Sequence, residues 1–226
     1  MNQDGLPRFN MTSYADTISA ITSECEKIHL TYSSTGDGRI TSAIKEKEFL
    51  ETLEKGLRQN YPSISFHIPA DRYWYDVMIN NLPINLKLTT GGTDNVFNKV
   101  AILYTISGEV VKKRNMNFNA WYSELNSCTK KTARDRMTEY HYLVVEKTSG
   151  KFLLKSILDI HTFKTNPCNI LQINWANEFL YKEHTTADLD FKQTIQHILK
   201  KVQASIQQCI AGMKEFAEAD MNALAL

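Results

Sequence analysis

The chain has 226 residues, enough for one ordinary domain that buries a substantial core. Hydrophobic residues make up 42% of it and charged residues 23%, which is close to folded-protein averages and argues against a disordered or fibrous chain. The formal net charge is only +1, so nucleic acid would have to be attracted by a local basic surface. Basic stretches at residues 112–114 and 130–136 could contact phosphates, although such runs are more often simply solvated.

The four cysteines are far apart, form no CxxC pair and have no histidine at zinc-finger spacing. This cysteine usage favours a reduced compartment. No apolar run has the length of a membrane span, and the polar start of the sequence differs from a secretory signal. We therefore expect a cytoplasmic protein with no membrane partner.

The spacing of apolar residues predicts helices at both ends of the chain and strands between them. A first helix is expected over residues 12–30. A second is expected from about Thr41 to Asn60, with one apolar side formed by Ile44, Leu50, Leu53 and Leu57. Further along, strands are expected over residues 63–68, 74–80, 83–90, 140–146 and 169–175, and helices over residues 94–106 and 188–218.

This order of elements predicts a single α/β domain over residues 1–226, with a mixed central β-sheet flanked by helices. Its catalytic core is expected at about residues 41–107, and its terminal helix at about residues 188–220.

The strands expected over residues 74–80 and 83–90 carry the most informative pattern. Successive residues of a strand face opposite ways, so Asp76 shares a face with Met78, and Asn85 shares one with Lys87. A two-residue turn at residues 81–82 would place Asp76 opposite Lys87 and Met78 opposite Asn85. A slip of one residue would end that opposition. The other face would form an apolar floor of Val77, Ile79, Ile84 and Leu86.

An acid, an amide and an amine on one face suit phosphodiester hydrolysis, which needs a hard cation, oxygen ligands and a group that positions water. Asp76 can bind Mg²⁺, and Lys87 can lie beside the attacking water or a phosphate oxygen. The amide oxygen of Asn85 can also coordinate the metal, but it adds no negative charge. A further ligand is expected from the second helix, with Glu51 as the first choice and Glu46 as the strongest alternative.

Asp76 on one strand and Asn85-x-Lys87 on the next resemble the catalytic hairpin of type II restriction endonucleases of the PD-(D/E)XK superfamily. The family pattern is an Asp followed on the next strand by (Asp/Glu)-x-Lys, so this chain departs from it at Asn85. The helix over residues 41–59, with its acids, and the segment 171–176 before the terminal helix are also similar to that family.

The resemblance implies a restriction-endonuclease-like fold and Mg²⁺-dependent cleavage of both strands of double-stranded DNA at a short sequence. Asp76, Asn85, Lys87 and Glu51 would be catalytic, and all of them except Lys87 would bind the metal. Because a palindromic site needs two active sites related by a twofold axis, a homodimer is expected.

The polar run that begins at Thr89 lies where relatives of this family approach DNA. Asparagine side chains can read an adenine edge through paired hydrogen bonds. The residues expected to bind DNA are therefore Thr89, Thr90, Asn95, Asn98, Asn174 and Asn177.

Several alternatives stay open at this point. Asp76 and Lys87 could form a surface salt bridge of little energetic value. Asp71, which precedes the first strand of the hairpin, is a competing metal ligand. Asn85 could be a natural variant helped by a helix acid, a substitution that traps a DNA complex, or a sign of a sequence-specific DNA-binding protein that lacks cleavage. An interaction domain that binds no nucleic acid is a further alternative.

Overall fold

A computed structural model describes residues 11–29, 38–70, 73–90, 95–110, 116–131, 139–166, 169–181 and 189–218. The α/β class predicted from the sequence is confirmed. The chain divides into two compact units, the first formed by Met1–Gly92 and Asn98–Ile157 and the second by Thr93–Phe97 and Leu158–Leu226. The single nuclease domain over residues 1–226 stays a prediction.

The described part of the chain forms helices and strands in alternating groups. The helices are α1 (Met11–Cys25), α2 (Gly38–Asn60), α3 (Lys99–Ser107), α4 (Phe118–Lys131), α5 (Trp175–Glu178) and α6 (Phe191–Ala217). The strands are β1 (Phe66–His67), β2 (Val77–Ile79), β3 (Leu82–Thr89), β4 (Asn95–Val96), β5 (His141–Glu146), β6 (Phe152–Ser156), β7 (Phe163–Asn166) and β8 (Asn169–Ile173).

The predicted elements differ from these mainly at their ends. The helix expected over residues 94–106 begins only at Lys99, because β4 occupies its first residues. Strands β6 and β7 and helix α4 were not predicted. The short strands β1 and β2 replace longer predicted ones, since the sheet hydrogen bonds cover only part of each apolar segment.

The first unit is built around a mixed sheet with the strand order β1-β2-β3-β5-β6. Neighbouring strands are antiparallel except for β3 and β5, which are parallel and pair over six residues from Ile84 with His141 to Thr89 with Glu146. A parallel pair needs a crossover connection, and α3 and α4 lie in it. The carboxyl ends of β3 and β5 therefore meet at one edge of the sheet.

Helix α2 packs on one face of this sheet through the apolar side that its sequence predicts. Leu53 and Leu57 are fully buried and share a core with Ile84 and Leu86 of β3. Burying one such side chain stabilises a fold by about 1.5–3 kcal/mol. Ile44 does not belong to this core, because it is 61% exposed.

The second unit contains a separate antiparallel sheet with the order β4-β8-β7, against which α6 packs. The Ser205 hydroxyl of α6 donates a 2.7 Å hydrogen bond to the carbonyl of Ile170. The buried carboxylate of Glu178 accepts the backbone N–H groups of His161 and Thr162 at 2.9 and 2.6 Å. These bonds hold the chain around the α5 turn within this unit.

Candidate functional site

The turn between β2 and β3 consists of Asn80 and Asn81, one residue earlier than predicted. Both residues have positive φ, 45° and 68°, which two-residue hairpin turns require and asparagine tolerates. The side-chain amide of Asn80 donates to the Thr17 hydroxyl of α1 at 3.0 Å, and its oxygen accepts from the Ser65 backbone. The turn is thus tied to its neighbours.

The moved turn shifts β2 and β3 by two residues from the predicted register. Met78 lies opposite Pro83 instead of Asn85. The predicted opposition of Asp76 and Lys87 is therefore also wrong. Because side chains alternate with a period of two, an even shift leaves Asp76, Asn85 and Lys87 on the same face of the hairpin.

The apolar floor on the opposite face of the hairpin is confirmed. Its four residues are at most 1% exposed and belong to the core shared with α2; they are Val77, Ile79, Ile84 and Leu86. This packing holds the backbone under the polar face in place.

Asp76 is the residue most firmly fixed on the polar face. Its Oδ2 accepts the backbone N–H of Leu86 at 2.8 Å, and its own N–H donates to the Ile84 carbonyl at 2.9 Å. Burial raises the pKa of Asp76, and the Lys87 ammonium and the Leu86 N–H only partly oppose that rise. The carboxylate is therefore held in one position in a half-buried place.

Asp76, Asn85 and Lys87 form a polar cluster on this face of the hairpin. Glu46 is the acid of α2 whose pKa responds to the charges of this cluster. Burial raises the pKa of Glu46; Lys87 opposes the rise, the Asp76 carboxylate adds to it, and a backbone hydrogen bond from Leu88 opposes it. The charges of Glu46 and Asp76 thus interact with each other, and Lys87 lowers the pKa of both acids. The helix contributes its acid at the end of β3, beside the hairpin.

Glu51, the first choice from the sequence, is an exposed residue of α2, and its metal-binding role stays a prediction. Its side chain is 62% exposed and lies 3.8 Å from the ammonium of Lys47 on the same helix. It is grouped with other exposed residues of α2, including Lys55 and Arg58, in a shallow surface groove. Glu46, the alternative from the sequence, is the helix acid whose pKa is affected by Asp76 and Lys87.

Asn85 and Lys87 are half-buried on β3, where they pair with Tyr142 and Val144 of the parallel strand β5. Their neighbours Ile84 and Leu86 point into the core, so the alternation expected from the sequence is confirmed. Asn85 places a neutral amide where the family pattern has an acid.

The cluster also includes a residue that the sequence did not single out, Lys147. It follows β5 directly, and its charge opposes the rise in the pKa of Glu46. The residue lies in a turn far along the chain from the hairpin. Only the parallel pairing of β3 with β5 brings it here.

A salt bridge with Lys87 does not dominate the pKa of either acid of this cluster. Such a bridge would lower the pKa of its carboxylate, whereas the pKa values of Asp76 and Glu46 are raised by burial despite the nearby lysine. Keeping both ionised at neutral pH costs folding stability. Groups kept at such a cost are common at functional sites.

Two carboxylate groups and one amide oxygen are hard donors of the kind that Mg²⁺ binds. Within the part of the chain that the structure describes, no group of three or more His, Cys, Asp or Glu side chains could hold a metal ion. A site built on Asp76 and Glu46 would therefore use the Asn85 amide or water to complete its coordination. The donor chemistry fits the ion, with less negative charge than three acids would supply.

Thr89, Thr90 and Asn95 were expected to bind DNA, and they differ in their surroundings. Thr89 is fully buried at the end of β3, so its expected contact with DNA is corrected. Thr90, the next residue, is exposed. Asn95 belongs to β4, and its side chain lies outside the described residues, as do Asp71, Gly91 and Gly92.

Asn98 has a structural role, and its contact with DNA stays a prediction. Its Oδ1 accepts the N–H groups of Val100 and Ala101 and thereby caps α3. Its amide donates to the Trp74 carbonyl at 2.7 Å and to the Tyr140 hydroxyl at 3.0 Å. These bonds anchor the chain two residues before Asp76, among aromatic rings.

Asn174 likewise caps a helix, because its side-chain oxygen accepts the N–H of Asn177 at the start of α5. The base contact expected for Asn174 stays a prediction beside this capping role. Asn177 itself is exposed, and its contact with DNA stays a prediction. An asparagine just before a helix is the sequence feature that could have identified both caps.

No family model, curated protein or solved structure matches the chain. Among the residues that the structure describes, no helix has the length and apolar character needed to cross a membrane.

Proposed function

We propose that the chain is a magnesium-dependent DNA endonuclease with a restriction-endonuclease-like fold, of the PD-(D/E)XK superfamily. The observation that carries the proposal is that Asp76 and Lys87 share the polar face of the β2–β3 hairpin and that the charges of both act on Glu46 of α2. The mixed sheet and the buried floor under Asp76 are consistent with such a fold. Electrostatic coupling between the three groups supports a shared site.

In this proposal Asp76, Glu46 and the Asn85 amide oxygen bind Mg²⁺. The bound ion would supply a positive charge that stabilises the charge developing on the phosphate. Asp76 is oriented for this role by the Leu86 N–H, which fixes its second oxygen. Lys87 holds the attacking water or a phosphate oxygen by donating hydrogen bonds. The substrate is double-stranded DNA, and two copies acting as a homodimer would cut both strands of a palindromic site.

A sequence-specific DNA-binding protein without cleavage is the second candidate. The neutral amide of Asn85 favours it, because a site with two acids binds Mg²⁺ more weakly than one with three. The mutation Asn85→Asp therefore separates the two functions better than removal of a residue does.

The test is incubation of purified protein with supercoiled plasmid in Mg²⁺, with EDTA as the control. Discrete fragments from the natural chain that are lost in Asp76→Ala support the endonuclease. Fragments produced only by Asn85→Asp support the DNA-binding protein, with a nuclease site that Asn85 disables. If neither chain cuts or binds the plasmid, both candidates are refuted.

Homodimer formation is measured separately, by sedimentation of the protein with and without duplex DNA. A monomer in both conditions would contradict the dimer, although not the chemistry of the site.

A further inference from the structure

Lys147 is held at the edge where β3 and β5 end together. Its backbone N–H donates to the carbonyl of Thr89 at 2.8 Å, which extends the parallel pairing by one residue. The backbone of Lys147 is therefore fixed relative to β3, the strand that carries Lys87.

The side chain of Lys147 runs to helix α2. Its ammonium donates a hydrogen bond to the hydroxyl of Ser42, which lies one helical turn before Glu46. Residues four apart lie on the same side of a helix, so the ammonium bonded to Ser42 lies on the side of α2 that carries the Glu46 carboxylate. Its charge also acts on that carboxylate. Lys87 on β3 and Lys147 in the turn after β5 thus both act on the Glu46 carboxylate.

The acceptor that the Lys147 ammonium bonds is a neutral hydroxyl. The adjacent acid, Glu146, is engaged elsewhere, since it accepts the backbone N–H groups of Thr148 and Ser149 at 3.0 and 2.6 Å. The hydroxyl of Ser42 is a weak, neutral partner that a stronger acceptor could replace.

We propose that Lys147 binds a phosphate of the DNA backbone beside the phosphate that is cut. The inference rests on the proposed function, and it assigns Lys147 a task distinct from that of Lys87. A phosphate oxygen would displace Ser42 as the acceptor of the ammonium hydrogen bond. The charge of the substrate would then replace a neutral hydroxyl, which makes the hydrogen bond stronger.

The experiment measures duplex binding in Ca²⁺ at several salt concentrations by fluorescence anisotropy. The probe is a 30-base-pair duplex that contains the site mapped from plasmid fragments, or a mixed-sequence duplex if the plasmid is not cut. Lys147→Met should reduce the slope of log K against log salt by about one, the value for one lost phosphate contact. Lys147→Arg should restore the slope.

Lys151→Met is the matched control, because it removes the same charge from an exposed position in the same hairpin. It should change the slope by much less. A second arm replaces single phosphates of the duplex by methylphosphonates, which are neutral. One of these replacements should weaken binding by the natural chain but have no further effect on Lys147→Met.

The outcomes separate the two proposals. If the natural chain binds or cuts DNA but Lys147→Met behaves like Lys151→Met, the phosphate contact is refuted and the endonuclease is not. If the natural chain binds no duplex, the proposed function and the Lys147 contact are refuted together. If Lys147→Met binds the duplex more weakly but with an unchanged salt slope, the role of Lys147 is merely structural and the inference is overturned.

Discussion

Replacing Asn98 by alanine tests whether this residue supports the fold or contacts DNA. The Asn98 side chain is the N-cap of α3 and also ties the Trp74 carbonyl to the Tyr140 hydroxyl. Alanine removes all of these bonds at once. We expect a large loss of stability and no specific change in the salt dependence of DNA binding.

The magnitude follows from the individual bonds. Loss of an N-cap costs about 1 kcal/mol. Each of the two amide hydrogen bonds contributes roughly 1 kcal/mol net, because Tyr140 still donates to the Trp74 carbonyl at 3.1 Å and neither group loses its last partner. The free energy of unfolding should therefore fall by about 3 kcal/mol. Asn98→Ser keeps a capping oxygen and should lose only about 2 kcal/mol.

The assay is urea unfolding followed by tryptophan fluorescence, with thermal unfolding as a second measurement. A loss of about 3 kcal/mol corresponds to a fall in Tm of roughly 6–12 °C for a chain of this size. If Asn98→Ala changes stability by less than 0.5 kcal/mol, the cap and the network do not stabilise the fold. If Asn98→Ala instead reduced the salt slope of DNA binding without destabilising the fold, the result would support a contact of Asn98 with a base or phosphate.

Three further predictions concern Gly56, Glu146 and Glu46. A Cβ at Gly56 would collide with the carboxylate of Glu24, so Gly56→Ala should destabilise by about 1 kcal/mol in urea unfolding, and should become stabilising when Glu24 is also alanine. Burial opposes ionisation of Glu146, but hydrogen bonds in its turn outweigh burial and lower its pKa to about 2. Its contribution to stability is present above the unfolded pKa and lost as pH falls toward 2, so Glu146→Gln should flatten that part of the stability profile; an unchanged profile contradicts this. Glu46→Gln should abolish plasmid cleavage, and it should raise the stability at pH 7 because burial raises the pKa of Glu46. The control Glu51→Gln should change neither cleavage nor stability, because Glu51 is exposed. Equal effects of the two substitutions would refute the choice of Glu46.

The alternation of polar and apolar residues predicted the two faces of the β2–β3 hairpin from local sequence. The predicted faces were correct although the turn was misplaced, because the register shifted by two residues and side chains alternate with a period of two. The turn was predicted one residue too late because Asn80 and Asn81 adopt positive φ. Asparagine tolerates this conformation, but the alternation of polar and apolar residues does not reveal it. Turn chemistry therefore decided the register, and periodicity decided the face.

The sequence by itself determined the α/β class, the apolar side of α2 and the grouping of Asp76, Asn85 and Lys87, since each depends on residues close together in the chain. Only the tertiary structure selected Glu46 over Glu51 and brought Lys147 to the same edge. Those choices depend on how α2 lies on the sheet and on which strand pairs in parallel with β3, and long-range packing sets both.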